Sequence, residues 1–325
     1  MYTNQDERDV EVVCYNQDHI KKVLTLIRKN FDKYFDNFLE ESGSLISKEK
    51  IEQIQEKFGV SVKENHSKSK SKRFKEIIRI DIEEFEKDRE KYETILDEEF
   101  LEESEEDLAT FKSSTLKNEC PIIHSTYYNK SAKELDKYRK EFDISDAKDL
   151  WIVIQNLYYF AQDYNDEFSD NDYDDIKNYK DLHMSNLDTD DYTVYGVIGG
   201  GIKSHMLYKL YPRLFPNRSR YSIWALWYLT DKDVIDCIMD SEFLMIDLNK
   251  LITQQNYLYP YELFTFYAHQ IYQMLRKKSD ELNVGLDNEY RYVYVDSFLK
   301  SIAKQHQDEI DVLKKQIDNG GWSYV

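Results

Sequence analysis

Gly199-Gly200-Gly201-Ile202-Lys203-Ser204 combines residue types that together hold phosphates. Glycines let backbone amides approach an anion, a lysine neutralises it and a serine hydroxyl adds a polar contact. The Walker pattern needs glycine directly before the lysine, and Ile202 fills that place. The dinucleotide fingerprint needs a third glycine where Ser204 stands. A nucleotide-binding or hydrolytic use of Gly196 to Ser204 therefore ranks third among the readings of this stretch. A second geometry uses more of the residues. Two helices joined by a tight Gly199-Gly200-Gly201 turn would form a helix-hairpin-helix, with backbone amides of the second helix facing a nucleic-acid phosphate. That geometry predicts a turn with glycine-only backbone angles, a second helix beginning by Lys203, and Leu207 and Leu210 packed inward.

The surroundings favour an anionic partner. From Tyr192 to Thr230 there is no Asp or Glu, while Lys203, Lys209, Arg213, Arg218 and Arg220 all fall there, in a chain of formal charge -19. A local reversal of the whole-chain field is where an anion docks. The same stretch holds four of the nine glycines and two of the four prolines. A second basic group, Lys68, Lys70, Lys72 and Arg73, lies in the Ser-rich run 65–73 and could form a mobile finger reaching a phosphate backbone. Alternatively, its charges keep a sheet edge from pairing.

The order of a glycine turn, then Ser204-His-Met-Leu207-Tyr-Lys-Leu210-Tyr-Pro212, then Phe215-Pro216 and Ile223-Trp-Ala-Leu226, resembles the helix-hairpin-helix DNA glycosylase superfamily over about residues 196–229. In that family a proline-marked turn and another core helix follow the hairpin. Its catalytic Asp has its matching place near Ser219, where Arg218 and Arg220 stand on either side and no carboxylate lies within ten residues. What the resemblance implies is binding without base excision, because an oxocarbenium-like centre needs a nearby carboxylate.

No other chemistry is signalled as strongly. Cys14, Cys120 and Cys237 are far apart, which argues for buried free thiols rather than disulfides or a zinc cluster. The seven histidines show no metal-ligand spacing, and His205 is a lone residue after a turn. Asp170, Asp172 and Asp174 alternate as in a calcium loop, yet Asp175 and Asp181 stand where that loop needs glycine and a bidentate glutamate. No Ser-His-Asp or Cys-His order has local support. We expect no metal, no cofactor and no catalytic residue. No run is long and apolar enough for a membrane span, and the opening Met1-Tyr-Thr-Asn-Gln-Asp-Glu is too polar for a signal peptide; the expectation is a cytoplasmic chain.

The elements positioning these residues are mainly α. The first part, 1–115, reads as a small α/β domain. It holds a short strand at 9–14, a helix over 18–40 with Ile20, Leu24, Ile27, Phe31, Phe35 and Phe38 on one face, and a helix at 47–58. Val60 to Glu64 and Phe74 to Ile82 read as a hairpin, the latter on its period-two pattern. Glu83 to Asp107 is an acidic amphipathic helix, and 108–130 is a soft boundary. The second part, 131–325, reads as helical. A capping box opens at Ser131, and a second helix starts at Ser145 or Asp146 and is apolar on nearly every side from Leu150 to Ala161. The acidic 163–191 then forms a flexible linker, and helices follow at 230–239, 242–255 and after Pro260. Tyr290 to Val295 is a strand or a lead into the last helix, Ser297 to Ile317. Trp224, Leu226, Trp227 and Tyr228 read as core, and the 27 tyrosines as buried ring surface with polar tips.

The function expected from sequence is a non-catalytic, nucleic-acid-contacting component of a bacterial or phage assembly, in a setting such as defence against phage. Gly199 to Gly201, Lys203, Ser204, Lys209, Arg213, Arg218 and Arg220 would hold phosphates, with Lys68 to Arg73 auxiliary. The alternative is a protein-binding adaptor without nucleic-acid contact, whose acidic helix and aromatic surfaces meet other subunits. A continuous positive face over 203–220 favours the first; basic side chains sunk in ion pairs favour the second.

Overall fold

The helix α12, Arg291–Gln305, stands at the centre of the molecule because it is apolar nearly all round. Tyr292, Val293, Tyr294, Val295, Phe298, Leu299, Ile302 and Ala303 are all buried. A helix apolar on most of its faces must be covered on those faces, and only the strip with Lys300 and Lys304 stays exposed. In the computed structural model, which describes residues 14–42, 70–132, 135–232 and 260–318, the cover comes from α10 (Arg220–Leu229), α11 (Tyr261–Glu281), α1 (Gln17–Ser42) and α2 (Lys70–Glu86). The Tyr290 to Val295 stretch is thus helical, with α12 starting at Arg291. The last helix is divided near His306 into α12 and α13, Gln307–Asp318.

Chain order fills in the rest. After α2 come α3 (Arg89–Ile95), α4 (Glu98–Ser104), short turns, a π-helical stretch Phe111–Glu119 and α5 (Pro121–Tyr128). Then follow α6 (Asp136–Ile144), α7 (Ala147–Glu167), the single turn α8 (Asp170–Asp174) and three 3-10 turns before α9 (Gly200–Leu210). Asp146 caps α7, its carboxylate accepting the Lys148 amide at 2.7 Å, which satisfies an otherwise orphaned donor. Helix α7 buries Leu150, Trp151, Val153, Ile154, Leu157, Tyr158, Ala161 and Tyr164. The Trp151 indole donates to Leu101 O at 2.9 Å.

Mainly α is the observed class, and the expected α/β start is corrected where it can be seen. Phe74 to Ile82 is not a hairpin strand but the body of α2. Its Ile-Arg-Ile-Asp-Ile pattern has period two, yet Phe74, Ile77 and Phe85 also lie on one helical stripe, and that stripe is buried against α1 and α12. The burial of one continuous helical face decides between the two periods. Most of the expected first strand, the helix at 47–58, the first hairpin arm, the helix at 242–255 and all but the first three residues of the helix expected at 230–239 lie outside the described residues. Among the described residues there is no strand beyond an isolated bridge.

Helix α1 presents Ile20, Val23, Ile27, Phe31, Phe35 and Phe38 to the core; Phe31 and Phe38 meet Phe298 of α12 at centroid distances of 5.2 and 5.7 Å. One buried apolar cluster therefore joins residues before 115 with residues after 131. The acidic 163–191, expected as a mobile linker, carries Tyr164, Tyr173, Ile176, Tyr179, Leu182, Met184 and Leu187 as buried anchors. From Tyr173 on they recur every two or three residues among the acids, and short turns suffice to bring each one inward.

Candidate functional site

The glycine-rich segment enters α9 through a bend rather than through a helix. Val194 and Ile198 form the isolated bridge, the Val194 amide donating to Ile198 O at 3.1 Å. Gly196 at the bend has φ 77°, a left-handed backbone angle that a side chain disfavours. Gly199 is the N-cap, with extended backbone (φ -107°, ψ -173°), and α9 starts at Gly200. The second helix of the expected hairpin is present, begins before Lys203, and buries Leu207 and Leu210. The first helix is absent: the residues before Gly199 form the bridge and a 3-10 turn, Asp190–Tyr192. The glycine that needs its special angle is Gly196, not Gly199 to Gly201. Gly200 has a crowded neighbour instead. A Cβ there would stand 1.9 Å from Nη1 of Arg218, so the guanidinium lies directly on the first turn of α9.

Each predicted cation among the described residues then has a definite place. Lys203 is 3% exposed; its ammonium donates to Leu187 O and to Thr193 Oγ1 at 3.4 Å. Burial pulls its pKa below the ordinary lysine value, against the attraction of Asp188. Asp188 sits on an exposed turn, but its carboxylate accepts the Tyr261 amide at 2.8 Å. Desolvation pushes Asp188 up, opposed by Arg218 and Lys203. Arg218, 2% exposed, completes this interior group. Ser204 ties it down: its hydroxyl donates to Gly201 O and accepts the Arg218 amide, both at 3.1 Å.

Lys209 lies at the other end of α9. Its ammonium donates to Phe85 O at 2.6 Å and to the Asp88 carboxylate at 2.5 Å, and sits 4.4 Å from the Phe85 ring centroid. Arg213 donates to Asn165 Oδ1 at 2.8 Å and faces Asp170 at 3.8 Å. Arg220 is half-buried at the start of α10, behind its N-cap Ser219. In the expected finger, Lys70 pairs with Asp36 at 2.6 Å, while Lys72 is exposed and Arg73 half-buried on the first turn of α2. Lys68 lies outside the described residues. Lys203, Lys209 and Arg218 are thus buried and not part of an exposed phosphate-facing surface. Lys203, Lys209 and Arg218 face inward because acids remote in sequence, at 188 and 88, reach them and their carbonyl partners.

His205 is half-buried and edge-on to Tyr92, with centroids 5.5 Å apart. Burial, aided by Lys209, lowers its pKa to about 4, so the ring is neutral near pH 7. Trp224, Leu226, Trp227 and Tyr228 are core. Cys14 and Cys120 are buried free thiols.

Sequence reasoning missed two polar clusters. Arg291, fully buried, donates to Arg213 O at 2.6 Å, pairs with Asp170 at 3.2 Å and lies 4.5 Å from the Tyr173 ring centroid. The Tyr173 hydroxyl bonds to Leu214 O at 2.7 Å and to the Tyr292 hydroxyl at 2.8 Å. This cluster docks α8 onto α12. The second lies between α2 and α12. The Ser297 hydroxyl donates to Asp81 at 2.5 Å, Lys300 pairs with Asp296 at 2.6 Å, and the Asn217 amide donates to Asp296 at 3.1 Å. Burial and the neighbouring Asp296 raise the Asp81 carboxyl to about 7. The signal for both was only a polar residue on an otherwise apolar helix.

Outside, the surface is acidic. Glu90, Glu93, Asp97, Glu98, Glu99, Glu102, Glu103, Glu105, Glu106 and Asp107 are all exposed. Tyr159, 40% exposed on α7, lies within the field of Glu98 and Glu102. Among the described residues no group of His, Cys, Asp and Glu could hold a metal ion, and no helix is long and apolar enough to cross a membrane. No protein-family model, curated protein or solved structure matches this chain.

Proposed function

We propose that this chain is a non-catalytic, protein-binding adaptor subunit that makes no nucleic-acid contact through residues 199–220. The observation carrying this reading is the inward placement of Lys203, Lys209 and Arg218. Phosphate binding draws its free energy from cations that displace counterions at the surface, and a cation committed to interior carbonyls and carboxylates supplies none. What this leaves outside is the acidic run 90–107 beside the exposed Tyr159 and Ile152 of α7. Carboxylates around a tyrosine face suit a basic partner surface, since a cation can meet both the charges and the ring.

The test pairs two measurements. Mobility-shift titrations with single- and double-stranded DNA and RNA at about 50 mM salt, where attraction is strongest, should give no binding. Affinity purification from the producing cells should give a stoichiometric protein partner, lost when Tyr159→Ala is combined with Glu102→Lys. Nucleic-acid binding whose salt slope drops by about one unit with each removed cation among 203–220 would overturn the adaptor reading.

A further inference from the structure

A cleft of about 500 Å³ opens between α2 and the turn that follows α11. Its apolar walls are Ile78 and Ile82 of α2, both partly buried, and Val284, which is 3% exposed. Gly285 forms the lip, and a Cβ built there would meet nothing within 4 Å. The rim is charged. Lys75 and Arg79 are exposed on α2, one turn apart, and Arg79 pairs with Glu83 at 2.5 Å.

These residues at positions 75, 78, 79, 82 and 83 make one stripe along two turns of α2, a length of about 12 Å at 1.5 Å per residue. A groove floored by one helix and walled on one side by a turn covers too little of a small molecule, since such sites bury most of the ligand. It does match two turns of a second helix laid along it, with one side chain entering the cleft. The rim carries two positive charges and one negative, in a chain of net charge -19. That local excess favours a segment with carboxylates next to its anchor.

We infer that this cleft seats an amphipathic helix of a partner protein, with one aliphatic side chain between Ile78, Ile82 and Val284 and flanking carboxylates on Lys75 and Arg79. The inference rests on the adaptor reading and supplies a second contact, of opposite charge to the acidic run.

The probe is a fluorescein-labelled, alanine-based helical peptide with two leucines one turn apart and a glutamate on either side of them. Its twin carries lysines in place of the glutamates. Fluorescence anisotropy at 0.15 M salt screens the distant acidic charge of the chain. The wild type should bind the glutamate peptide at least ten-fold more tightly than its twin. Gly285→Trp places an indole at the lip, where a Cβ meets nothing within 4 Å, and should lower that affinity at least ten-fold at unchanged melting temperature. Lys75→Glu with Arg79→Glu should reverse the preference in favour of the lysine twin, an outcome that loss of structure could not produce. Three results would overturn the proposal: no saturable binding of the glutamate peptide, equal binding of both peptides, or displacement of the peptide by octanoate at or below the peptide's own concentration. The adaptor reading fails separately. Any of those three anisotropy results sinks the cleft alone, whereas nucleic-acid binding in the mobility shift sinks the adaptor.

Discussion

Replacing Lys209 by Met separates an interior ion pair from a phosphate contact. Methionine keeps most of the stem that packs beneath Phe85 but removes the ammonium and both of its hydrogen bonds, to Phe85 O and to Asp88. The lysine side chain is 6% exposed and the Asp88 side chain 35%. A hydrogen bond to a charged group contributes about 1.5–3 kcal/mol. The carbonyl of Phe85, near the end of α2, loses its lysine partner. Asp88 keeps access to water, so its share is discounted and the full penalty of an orphaned buried charge does not apply. The net loss should be roughly 2 kcal/mol. Urea unfolding followed by tryptophan fluorescence reads it directly, because Trp151, Trp224 and Trp227 are all buried. A double-mutant cycle with Asp88→Asn should return a coupling of about 1 kcal/mol. A loss under about 0.5 kcal/mol with no coupling would refute the interior assignment of Lys209. If nucleic-acid affinity fell in the same variant, the phosphate role would be restored.

Gly200→Ala should destabilise by about 1–3 kcal/mol, since the new Cβ displaces a packed guanidinium. Gly201→Ala, with nothing within 4 Å, should be neutral or stabilise by up to about 1 kcal/mol, and thermal melts of the pair distinguish close approach from a need for glycine angles. Asp81 has its carboxyl raised to about 7 above an unfolded value of about 4, so the folded state binds the extra proton. Its favourable contribution is complete below pH 4 and is lost as pH rises through 7. Asp81→Asn, whose amide oxygen can still accept from Ser297, should therefore gain stability relative to wild type between pH 4 and 8; a difference that stays flat with pH in urea titrations would contradict this. Salt should raise the melting temperature, because the surface self-repulsion of charge -19 is screened while interior pairs are screened little. A fall between 0.05 and 0.5 M sodium chloride would mean that exposed pairs carry the stability instead.

A helix with a single buried stripe was legible in the sequence, as α1 shows, because the stripe repeats over many turns and its period is unambiguous. The start of α7 was legible too, since Asp146 can cap without help from the rest of the fold. The segment 74–82 misled because isoleucines at 78, 80 and 82 satisfy period two, while the helical alternative depends on Phe74 and Phe85 at its ends and on the helices that cover it. Asp81 and Ser297, 216 positions apart, come together only once α2 lies on α12. No local pattern reports such a pairing.

The basic window shows the same limit in its charges. A window of 39 residues without a carboxylate, Tyr192 to Thr230, looks like a surface prepared for an anion only if charges are matched within the window. In the folded chain Lys209 is matched by Asp88, Arg213 faces Asp170, and Lys203 lies in the field of Asp188. Each of these acids belongs to a run that, taken alone, looks like a solvated face. A buried lysine without a partner is far costlier than one that is hydrogen-bonded and charge-matched, so α9 can sink Lys203 and Lys209 only where the end of α2 and the 185–188 turn bring oxygen to them. The acid-free window and the acidic runs are thus two halves of one arrangement: Lys203 and Lys209 tie two remote segments to α9, and the carboxylates left over on 90–107 stay exposed.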